Sequence, residues 1–394
     1  MSPLVATSCR ACGGSPLRAF YERRGIPVHS NRLLTTPEAA RRESVGDLLL
    51  TVCPRCGFIQ NACYDSGVHD YRVSYEDSQG HSARFRAFAD ELLTGLEARH
   101  GLASRRVLEI GCGRGDFLVE LARRSAGAIG IDPSFRESEV SRAAPKHVRF
   151  LAEEYGERHR ELPADFVFCR HTLEHIPEPA AFLRMLRANI QKPEAVLYFE
   201  VPDAERILRE GAFWDIYYEH CSYFTEDALR ELFERTGFEV LRLARGFDDQ
   251  YLLLEARPAV APSATAGEGE SRAGGGVVPL TEHFTRCVAE SLDRWAREAD
   301  RWQQTRSRVA LWGSGSKAVG FCSALRSTDE VHCVVDINPS KQGTFQPGAG
   351  LPIVSPEALL RYRPDVVVAM NPIYRREIQD ELDRLGVRAE LLAL

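Results

Sequence analysis

The segment with the densest set of proton-transferring side chains reads Tyr217-Tyr218-Glu219-His220, and Tyr223 follows shortly after it. Histidine titrates near neutral pH, and an adjacent carboxylate can hold its tautomer or raise its basicity. The segment therefore predicts a proton-handling set of Tyr217, Glu219 and His220. Tyr218 and Tyr223 are candidates for substrate contacts. The alternative is a polar loop whose aromatic rings pack on the core.

Two C-x-x-C pairs near the N-terminus have the residue types and pairing of a zinc site. The pairs are Cys9 with Cys12 and Cys53 with Cys56, and glycine follows each pair. Each pair supplies two sulfurs from one tight turn, and the glycines let backbone amides point at the sulfurs. Four thiolates leave no open position on a tetrahedral zinc ion, so we predict a structural site. The alternatives are two redox pairs or unrelated thiols.

A glycine-rich turn lies between an apolar run and a helix-favouring stretch in VLEIGCGRGDF, residues 107–117. Glycine has no Cβ and tolerates positive φ, so such a turn lets a ligand approach the backbone closely. Glu109 lies at the end of the first predicted strand. Asp132 ends the next predicted strand, where its carboxylate could bind ribose hydroxyls. The ligand-binding candidates of this unit are Glu109, Gly111, Gly113, Gly115, Asp132 and Pro133.

Further polar residues follow later strands of the same pattern. His171 and His175 come after the apolar run 165–169, and Glu153 follows the run 149–152. In parallel sheets, ligands bind beyond the carboxyl ends of the strands. We therefore expect the two histidines at this rim and Glu153 near an adenine ring; for His175 a structural role is an equal alternative. Tyr75 lies in a tyrosine-rich loop that either covers a ligand or forms a surface connection.

Repeated alternation of strands and helices predicts a parallel, doubly wound α/β sheet. Residues 257–278 are rich in Pro, Ala, Gly and Ser, which is typical of a linker. After a predicted helix at 281–306, a second strand–glycine–helix unit contains Gly313, Gly315 and Lys317. This unit predicts a second Rossmann-like fold. It could bind NAD, or it could present helix-end amides and Lys317 to another phosphate.

The composition is that of an ordinary globular chain with more than one domain. The chain has 394 residues, and its net charge of −6 argues against nucleic acid as the main partner. No apolar run approaches the roughly 20 residues needed to cross a bilayer. The first residues lack a basic region followed by an apolar core, so we expect no signal peptide and a cytoplasmic location. The 11 cysteines are then expected to be thiols or metal ligands.

Taken with Glu109 and Asp132, the glycine turn resembles motif I of the class I S-adenosylmethionine-dependent methyltransferases. The order of parts over nearly the whole chain resembles the zinc-containing sugar C-methyltransferases. Those enzymes methylate C3 of nucleotide-linked 4-keto-6-deoxy sugars in antibiotic pathways. The resemblance implies a class I methyltransferase Rossmann-like core with an N-terminal zinc-binding domain and a C-terminal Rossmann-like domain. We place these parts at 1–70 (zinc), 71–256 (methyltransferase), 257–278 (linker) and 279–394 (C-terminal domain).

The resemblance also implies roles for individual residues. The two cysteine pairs match the family's zinc ligands, and residues 109–115 with Asp132 match its donor site. In the catalytic loop of that family the histidine is the favoured base, which implies this role for His220. The residues implied as catalytic are Tyr75, His175, Tyr217, Glu219 and His220. Because the family's C-terminal domain helps to hold the nucleotide of the substrate, Gly313, Gly315 and Lys317 are implied in acceptor binding.

The residues predict methylation of a carbon next to a ketone. His220 would remove a proton from this carbon, Glu219 would orient the imidazole, and a tyrosine hydroxyl would stabilise the enolate oxygen. The predicted cofactors are S-adenosylmethionine and a structural Zn²⁺, and the predicted partner is a small-molecule acceptor. The alternatives are an O- or N-methyltransferase, an NAD-dependent oxidoreductase and a non-catalytic zinc-stapled protein. The sequence does not specify the acceptor or the oligomeric state.

Overall fold

The computed structural model describes residues 6–68, 75–76, 78–260 and 274–394. Within these ranges the strands form three sheets, one antiparallel and two mainly or wholly parallel. Among the described helices, none combines the length and the apolar composition that crossing a bilayer would require.

A four-stranded antiparallel sheet lies at the N-terminus. Its strands are β1 (Arg18–Pro27), β2 (Val45–Val52), β3 (Ile59–Asn61) and β9 (Ser222–Tyr223), and helix α1 (Pro37–Arg41) connects β1 to β2. The order is β1-β2-β3-β9, with β9 contributed from much later in the chain. The segment that follows His220 is therefore held by the N-terminal sheet.

The central sheet has seven strands in the order β10-β11-β8-β7-β4-β5-β6. The strands are β4 (Arg106–Ile110), β5 (Gly127–Ile131), β6 (Val148–Leu151), β7 (Phe166–Arg170), β8 (Val196–Pro202), β10 (Phe238–Gly246) and β11 (Tyr251–Pro258). All pairings from β6 to β8 are parallel, and β11 runs antiparallel to both of its neighbours. The helices of this region are α2 (Ala83–His100), α3 (Asp116–Ala122), α4 (Glu139–Arg142), α5 (Pro179–Asn189), α6 (Ala204–Glu210) and α7 (Glu226–Arg235).

A five-stranded parallel sheet forms the C-terminal part, in the order β14-β13-β12-β15-β16. The strands are β12 (Val309–Trp312), β13 (Val331–Val335), β14 (Ile353–Val354), β15 (Val366–Ala369) and β16 (Glu390–Ala393). The helices are α8 (Gly274–Thr305), α9 (Ser316–Ala324), α10 (Leu359–Tyr362) and α11 (Arg375–Leu385). The first strand of each parallel sheet is followed by a glycine turn and a helix, so the two turns lie at equivalent places in their sheets.

The predicted strand–helix units are confirmed. The apolar runs of both glycine units form β4 and β12. The long helix begins at Gly274, several residues earlier than predicted, and the predicted linker overlaps the end of β11 at Pro258. Residues 261–273 of that linker lie outside the described part of the chain, and the domain boundaries stay predictions.

Apolar packing joins the N-terminal sheet to the C-terminal helices. Phe284 of α8 lies edge-on to Phe20 and Tyr21 of β1, with ring centroids 6.0 and 5.3 Å away. Gly320 of α9 is so close to Trp214 that an added Cβ would lie 2.8 Å from its carbonyl oxygen. The carboxyl edges of both parallel sheets border one cavity.

Candidate active site

A cavity of about 1890 Å³ lies between the carboxyl edges of the two parallel sheets. The donor-type turn at 111–113 lines one part of it, and the second turn at 313–317 lines another. Residues of the loop before α2 and of the segment before β9 complete the walls. The predicted residues that line it are Tyr75, Glu109, Gly111, Gly113, Asp132, Pro133, His171, His175, Tyr217, His220, Gly313, Gly315 and Lys317.

The glycine turn after β4 has the left-handed backbone that its sequence predicts. Gly111, Gly113 and Gly115 have φ values of 77°, 52° and 87°. The Gly113 N–H donates to Asp132 Oδ2 at 2.9 Å, and the Ser134 N–H donates to Oδ1 at 2.7 Å. Asp132 is thereby fixed at the end of β5 beside the turn. Gly115 does not line the cavity; it precedes α3, where a Cβ would lie 2.4 Å from the Phe150 ring.

Glu109 presents a buried carboxyl to this turn. Its side chain is 3% exposed, and its Oε2 has no hydrogen-bond partner within the described ranges. Burial raises the pKa of Glu109 to about 8, although the nearby Arg170 acts in the opposite direction. An unpartnered buried oxygen next to a glycine turn fits a ligand that carries an amino or hydroxyl donor.

A charged network lies behind the predicted histidine at 171. Arg170 donates to Glu200 Oε1 and Oε2 at 3.0 and 3.1 Å, and Tyr198 donates to Oε2 at 2.8 Å. The Nε2 atom of His171 lies 2.7 Å from Glu200 Oε1. Burial acts against a charged imidazole, but Glu200 and Glu174 outweigh it and raise the pKa of His171 to about 9. His171 is therefore a cation at neutral pH and a fixed part of the wall.

A cluster of titratable side chains centres on His220, which is 4% exposed. The Tyr217 hydroxyl lies 3.0 Å from His220 Nε2, and the His175 ring stands edge-on to His220 with centroids 4.7 Å apart. Glu174 Oε1 lies 3.9 Å from His220 Nε2. Burial, followed by the positive charges of neighbouring histidines and Lys317, holds the pKa of His220 well below its usual range. The imidazole is consequently neutral and able to accept a proton.

Three predictions for the Tyr-Tyr-Glu-His segment do not match its geometry. Glu219 is fully buried outside the cavity lining and accepts a hydrogen bond from the Ser30 N–H at 2.9 Å. Tyr218 is buried in the N-terminal region, where its hydroxyl accepts from the Asp65 N–H at 2.9 Å. Tyr223 is buried in β9. Neither Tyr218 nor Tyr223 lines the cavity, so the geometry does not support the substrate contacts predicted for them.

The loop before α2 crosses from the donor turn to the C-terminal sheet. Glu76 is 1% exposed; it pairs with Arg114 of the glycine turn and accepts from Asn338 Nδ2 at 3.0 Å. The Tyr75 hydroxyl accepts a hydrogen bond of 3.4 Å from Asn31. Residues 71–74 and 77 of the predicted covering loop lie outside the described residues. The described part lines the cavity, as a ligand-covering loop would.

The second glycine turn also faces the cavity, but its lysine is already paired. Lys317 contacts Asp215, which is 8% exposed and also pairs with Arg206. Burial lowers the pKa of Lys317, with Asp215 opposing the shift. Ser314 donates its N–H and hydroxyl to Asp336 Oδ2 at 2.9 and 2.5 Å. This turn therefore repeats the arrangement of Asp132 and the donor turn.

The four cysteines of the two pairs meet in one cluster at the N-terminus. Cys9 Sγ lies 3.6 Å from Cys56 Sγ, and Cys12 Sγ lies 3.7 Å from Cys53 Sγ. All four sulfurs lie within 4.8 Å of one another. With Zn–S bonds of about 2.3 Å, a tetrahedron has sulfur–sulfur edges of about 3.8 Å, so the cluster fits a four-thiolate zinc ion. The Gly14 N–H points at Cys12 Sγ at 3.4 Å.

Sequence reasoning misplaced one donor-site residue and missed several others. Glu153 is turned away from the cavity and pairs with Arg158 and His159, whereas the adjacent Glu154 lines the wall. Glu174 stands directly before His175 in the sequence, and this adjacency to a rim histidine was the available signal. Other polar wall residues that the prediction did not single out include Asn31, Glu76, Arg114, Arg170, Asp215, Asn338 and Lys341.

Comparison with known proteins identifies the class of enzyme to which the chain belongs. The model of a family described as a methyltransferase domain matches residues 81–243, and one described as a C-methyltransferase C-terminal domain matches residues 256–389. The C-methyltransferase NovU of Streptomyces niveus is 25% identical over 389 residues, which is 94% of this chain and 91% of NovU. This chain is an S-adenosylmethionine-dependent methyltransferase.

Other methyltransferases resemble a smaller part of the chain. A ubiquinone biosynthesis O-methyltransferase from Hahella chejuensis is 34% identical over 111 residues, which is 26% of this chain and 46% of that protein. This methyltransferase therefore spans less than half the length of that relative. The magnesium protoporphyrin IX methyltransferase ChlM of Synechocystis PCC 6803 is 20% identical, with a TM-score of 0.37 over 47% of this chain and 91% of that one.

Substitution of Gly111 by alanine is expected to weaken donor binding. The new Cβ would lie 1.9 Å from Thr172 Oγ1, and φ at this position is 77°. Backbone strain of this kind costs about 1–3 kcal/mol, so we expect the methyltransferase to lose about tenfold or more in affinity for S-adenosylhomocysteine. Titration calorimetry measures the change. Gly127→Ala in β5 is the control, since its Cβ would meet Arg106 at an ordinary 3.8 Å; equal affinities for the two variants would contradict the prediction.

The stability of the methyltransferase is expected to fall as the pH rises from about 6.5 to 9. The pKa of His171 is raised to about 9 in the folded chain. A histidine whose pKa is raised on folding stabilises the fold fully at pH values below its pKa in the unfolded chain, about 6.5. This stabilisation is lost as the pH rises through its pKa in the folded chain. Thermal unfolding between these pH values should show a steeper fall in Tm for the wild type than for His171→Gln. The raised pKa of Glu109 also makes stability fall with rising pH, but it does so equally in the wild type and in His171→Gln. Parallel curves of Tm against pH for the two proteins would therefore show that His171 does not cause the fall.

Proposed function

We propose that this enzyme methylates a carbon next to a ketone, on a nucleotide-linked keto-deoxysugar or a related natural-product intermediate. The observation that carries the proposal is the position of a neutral, buried His220 on the wall of the same cavity as the donor turn. The match to a C-methyltransferase C-terminal domain and the similarity to NovU over most of the chain support carbon as the methylated atom.

A ketone makes the neighbouring C–H bond acidic enough for a histidine to remove the proton. In the proposal, His220 accepts this proton and the C–H electron pair moves into the enolate. In this arrangement the His220 Nε2–H donates to the Tyr217 oxygen at 3.0 Å, which fixes the ring. The Tyr217 proton can then donate to the developing oxygen anion, and the buried His220 Nδ1, which has no hydrogen-bond partner among the described residues, takes the proton from carbon. His175, edge-on to the same ring, completes the wall. S-adenosylmethionine supplies an electrophilic methyl group on a sulfonium, to which the acceptor carbon forms its new bond.

The same residues explain how two ligands would be aligned. Glu109, Gly113 and Asp132 would hold the donor at the edge of the central sheet. Bringing two bound molecules into line contributes about 7–11 kcal/mol in well-oriented reactions. Exclusion of water by the buried wall strengthens each electrostatic contact with the reacting groups. The protein's part of the chemistry is therefore proton removal, alignment and shielding.

The size of the cavity supports an extended acceptor. Its 1890 Å³ exceed the roughly 300–1,000 Å³ of pockets that hold one drug-sized ligand. The acceptor end is bordered by the start of α9 and by Ser316, Asn338 and Lys341. Backbone amides at a helix start and a lysine are suited to phosphate oxygens. These features support an acceptor with a phosphate-linked group, held partly by the turn at 313–315.

We also infer that Cys9, Cys12, Cys53 and Cys56 hold a structural zinc ion. The sulfur–sulfur distances of 3.6 and 3.7 Å support this inference. With four thiolates, the ion would keep no position for a substrate, so its contribution would be to the fold of the N-terminal sheet.

The test of the proposed function is product analysis with a labelled donor. Purified enzyme is incubated with S-adenosylmethionine carrying a ¹³C methyl group and a panel of nucleotide-linked 4-keto-6-deoxy sugars. A new C–CH₃ signal in the ¹³C NMR spectrum is the expected result. An O–CH₃ or N–CH₃ signal would establish the alternative methyltransferase instead. Parallel titration with NAD tests whether the C-terminal turn binds that cofactor, in which case the acceptor role of residues 313–317 would be withdrawn.

A further inference from the structure

Glu174 is a buried carboxylate that the predicted catalytic set does not include. It lies in the turn after β7, is 1% exposed and lines the cavity. Neither of its side-chain oxygens has a hydrogen-bond partner among the residues that the structure describes. Buried carboxyl oxygens are normally paired, and one that is left unpaired costs stability. Such a group, retained at the wall of an active site, calls for a functional account.

The position of Glu174 is fixed by its backbone. The His175 N–H donates to the Thr172 carbonyl at 3.0 Å, which closes the turn. Cys221, the residue after His220, donates its thiol to the Glu174 carbonyl at 3.5 Å. The turn and the segment before β9 are therefore attached to each other next to the reacting atoms. This attachment sets the distance between the carboxylate and the imidazole.

Glu174 faces two histidines and no lysine or arginine at ion-pair distance among the described residues. Its Oε1 lies 3.9 Å from His220 Nε2 and 3.7 Å from His171 Nδ1. Glu219, by contrast, accepts from the Ser30 N–H outside the cavity lining. His220 gains a positive charge only when it has taken a proton. A carboxylate at this distance therefore interacts more favourably with the protonated imidazole than with the neutral one.

We propose that Glu174 is the positioning carboxylate of the proposed base, which stabilises the imidazolium that forms on His220 when the acceptor carbon loses its proton. This inference rests on the proposed function. In the step, the C–H bond breaks, its electron pair stays on the acceptor as an enolate, and the proton forms an N–H bond on His220. Glu174 neither gains nor loses a proton; it supplies negative charge beside the ring.

The proposal is tested with Glu174→Gln, which keeps the size of the side chain and removes its charge. The probes are S-adenosylhomocysteine for donor binding and the panel of nucleotide-linked 4-keto-6-deoxy sugars for turnover and for solvent deuterium exchange at the acceptor carbon. We expect kcat and the exchange rate to fall by about 100-fold, with unchanged donor affinity and with little change in KM for the acceptor. We expect Tm to stay close to that of the wild type, because glutamine keeps the volume of the side chain and the carboxylate has no hydrogen bond to lose, only the 3.7 Å ion pair with His171.

Two further variants make the result specific. Glu174→Asp keeps the charge and should retain more of kcat than Glu174→Gln, whereas a purely steric role predicts the opposite order. Glu239→Gln, which removes a surface carboxylate paired with Arg257, is the matched charge control and should behave as the wild type. Wild-type kcat and exchange in Glu174→Gln would overturn the proposal, and so would a loss of activity accompanied by a lower Tm and lost donor binding. Failure of the wild-type enzyme to methylate any of the probes would instead count against the proposed function.

Discussion

The His220→Gln enzyme is expected to turn over at least about 100-fold more slowly than the wild type, because general base catalysis contributes roughly 10²–10⁴-fold. Glutamine fills a similar volume and can still interact with the Tyr217 hydroxyl, which lies 3.0 Å from the imidazole in the wild type. It cannot accept a proton from carbon at neutral pH. Burial and neighbouring positive charge hold the pKa of His220 well below its usual range, so the wild-type ring is unprotonated and competent under the same conditions.

Deuterium exchange separates the loss of the base from other losses. The acceptor is incubated in deuterated buffer with S-adenosylhomocysteine, which occupies the donor site but carries no methyl group to transfer. The wild type should exchange the proton next to the ketone, and His220→Gln should not. His332→Gln, at an exposed position on β13, is the control and should match the wild type in both assays. Exchange that persists in His220→Gln would assign the base to another residue, and His175 would be examined next.

The geometry at His220 also explains which part of the site the sequence could predict. The backbone N–H of His220 donates to the backbone carbonyl of Tyr217 at 3.3 Å, and this hydrogen bond closes a tight turn. The end residues of such a turn approach each other, while the two central residues project elsewhere. Tyr217 and His220 consequently meet at the cavity, and Glu219 is directed to Ser30. Adjacency in sequence favoured Glu219 as the partner of the histidine, whereas the fold supplies Glu174 from the turn after β7.

Patterns encoded over a few residues, and the meeting of the two cysteine pairs, could be predicted from the sequence, whereas other contacts between distant segments could not. The glycine turn with Asp132 follows from a local strand–turn–helix pattern, because only glycine fits the left-handed positions beside Thr172. The pairing of Lys317 with Asp215 joins residues about 100 positions apart in the sequence, and no local pattern contains it. The antiparallel pairing of β3 with β9 likewise joins the zinc-type knuckle to the catalytic segment.

The pairing of β3 with β9 leads to a second large expected effect. Replacing Cys53 with serine should abolish turnover without destroying the donor site. Cys53 and Cys56 lie in the turn between β2 and β3, and Ile59 and Gln60 of β3 pair with Tyr223 and Ser222 of β9. Structural zinc contributes about 10–16 kcal/mol in zinc-finger peptides, as much as the whole stability of a typical domain. Loss of the ion should therefore release β3 and, with it, the segment that holds His220.

The donor side should be less affected, because Gly111, Gly113 and Asp132 are held by strands β4 and β5 of the central sheet. We expect Cys53→Ser to contain substoichiometric zinc by mass spectrometry and to show faster hydrogen exchange in residues 50–61 and 217–224. We also expect it to retain S-adenosylhomocysteine binding while losing methyl transfer. Cys63→Ser is the matched control, since this half-buried thiol lies just beyond β3 and outside the four-sulfur cluster.

Which functions Cys53→Ser loses shows whether the four-cysteine cluster positions the His220 segment or supports the whole fold. If Cys53→Ser lost donor binding together with turnover, the zinc-type cluster would support the whole fold and not the placement of His220 in particular. If it kept full turnover, β9 would be held without the knuckle, for example by the hydrogen bond from the Ser222 hydroxyl to the Ile176 carbonyl at 3.2 Å. Faster exchange confined to β3 and the His220 segment, with an intact donor site, is the combination that links the metal to the base.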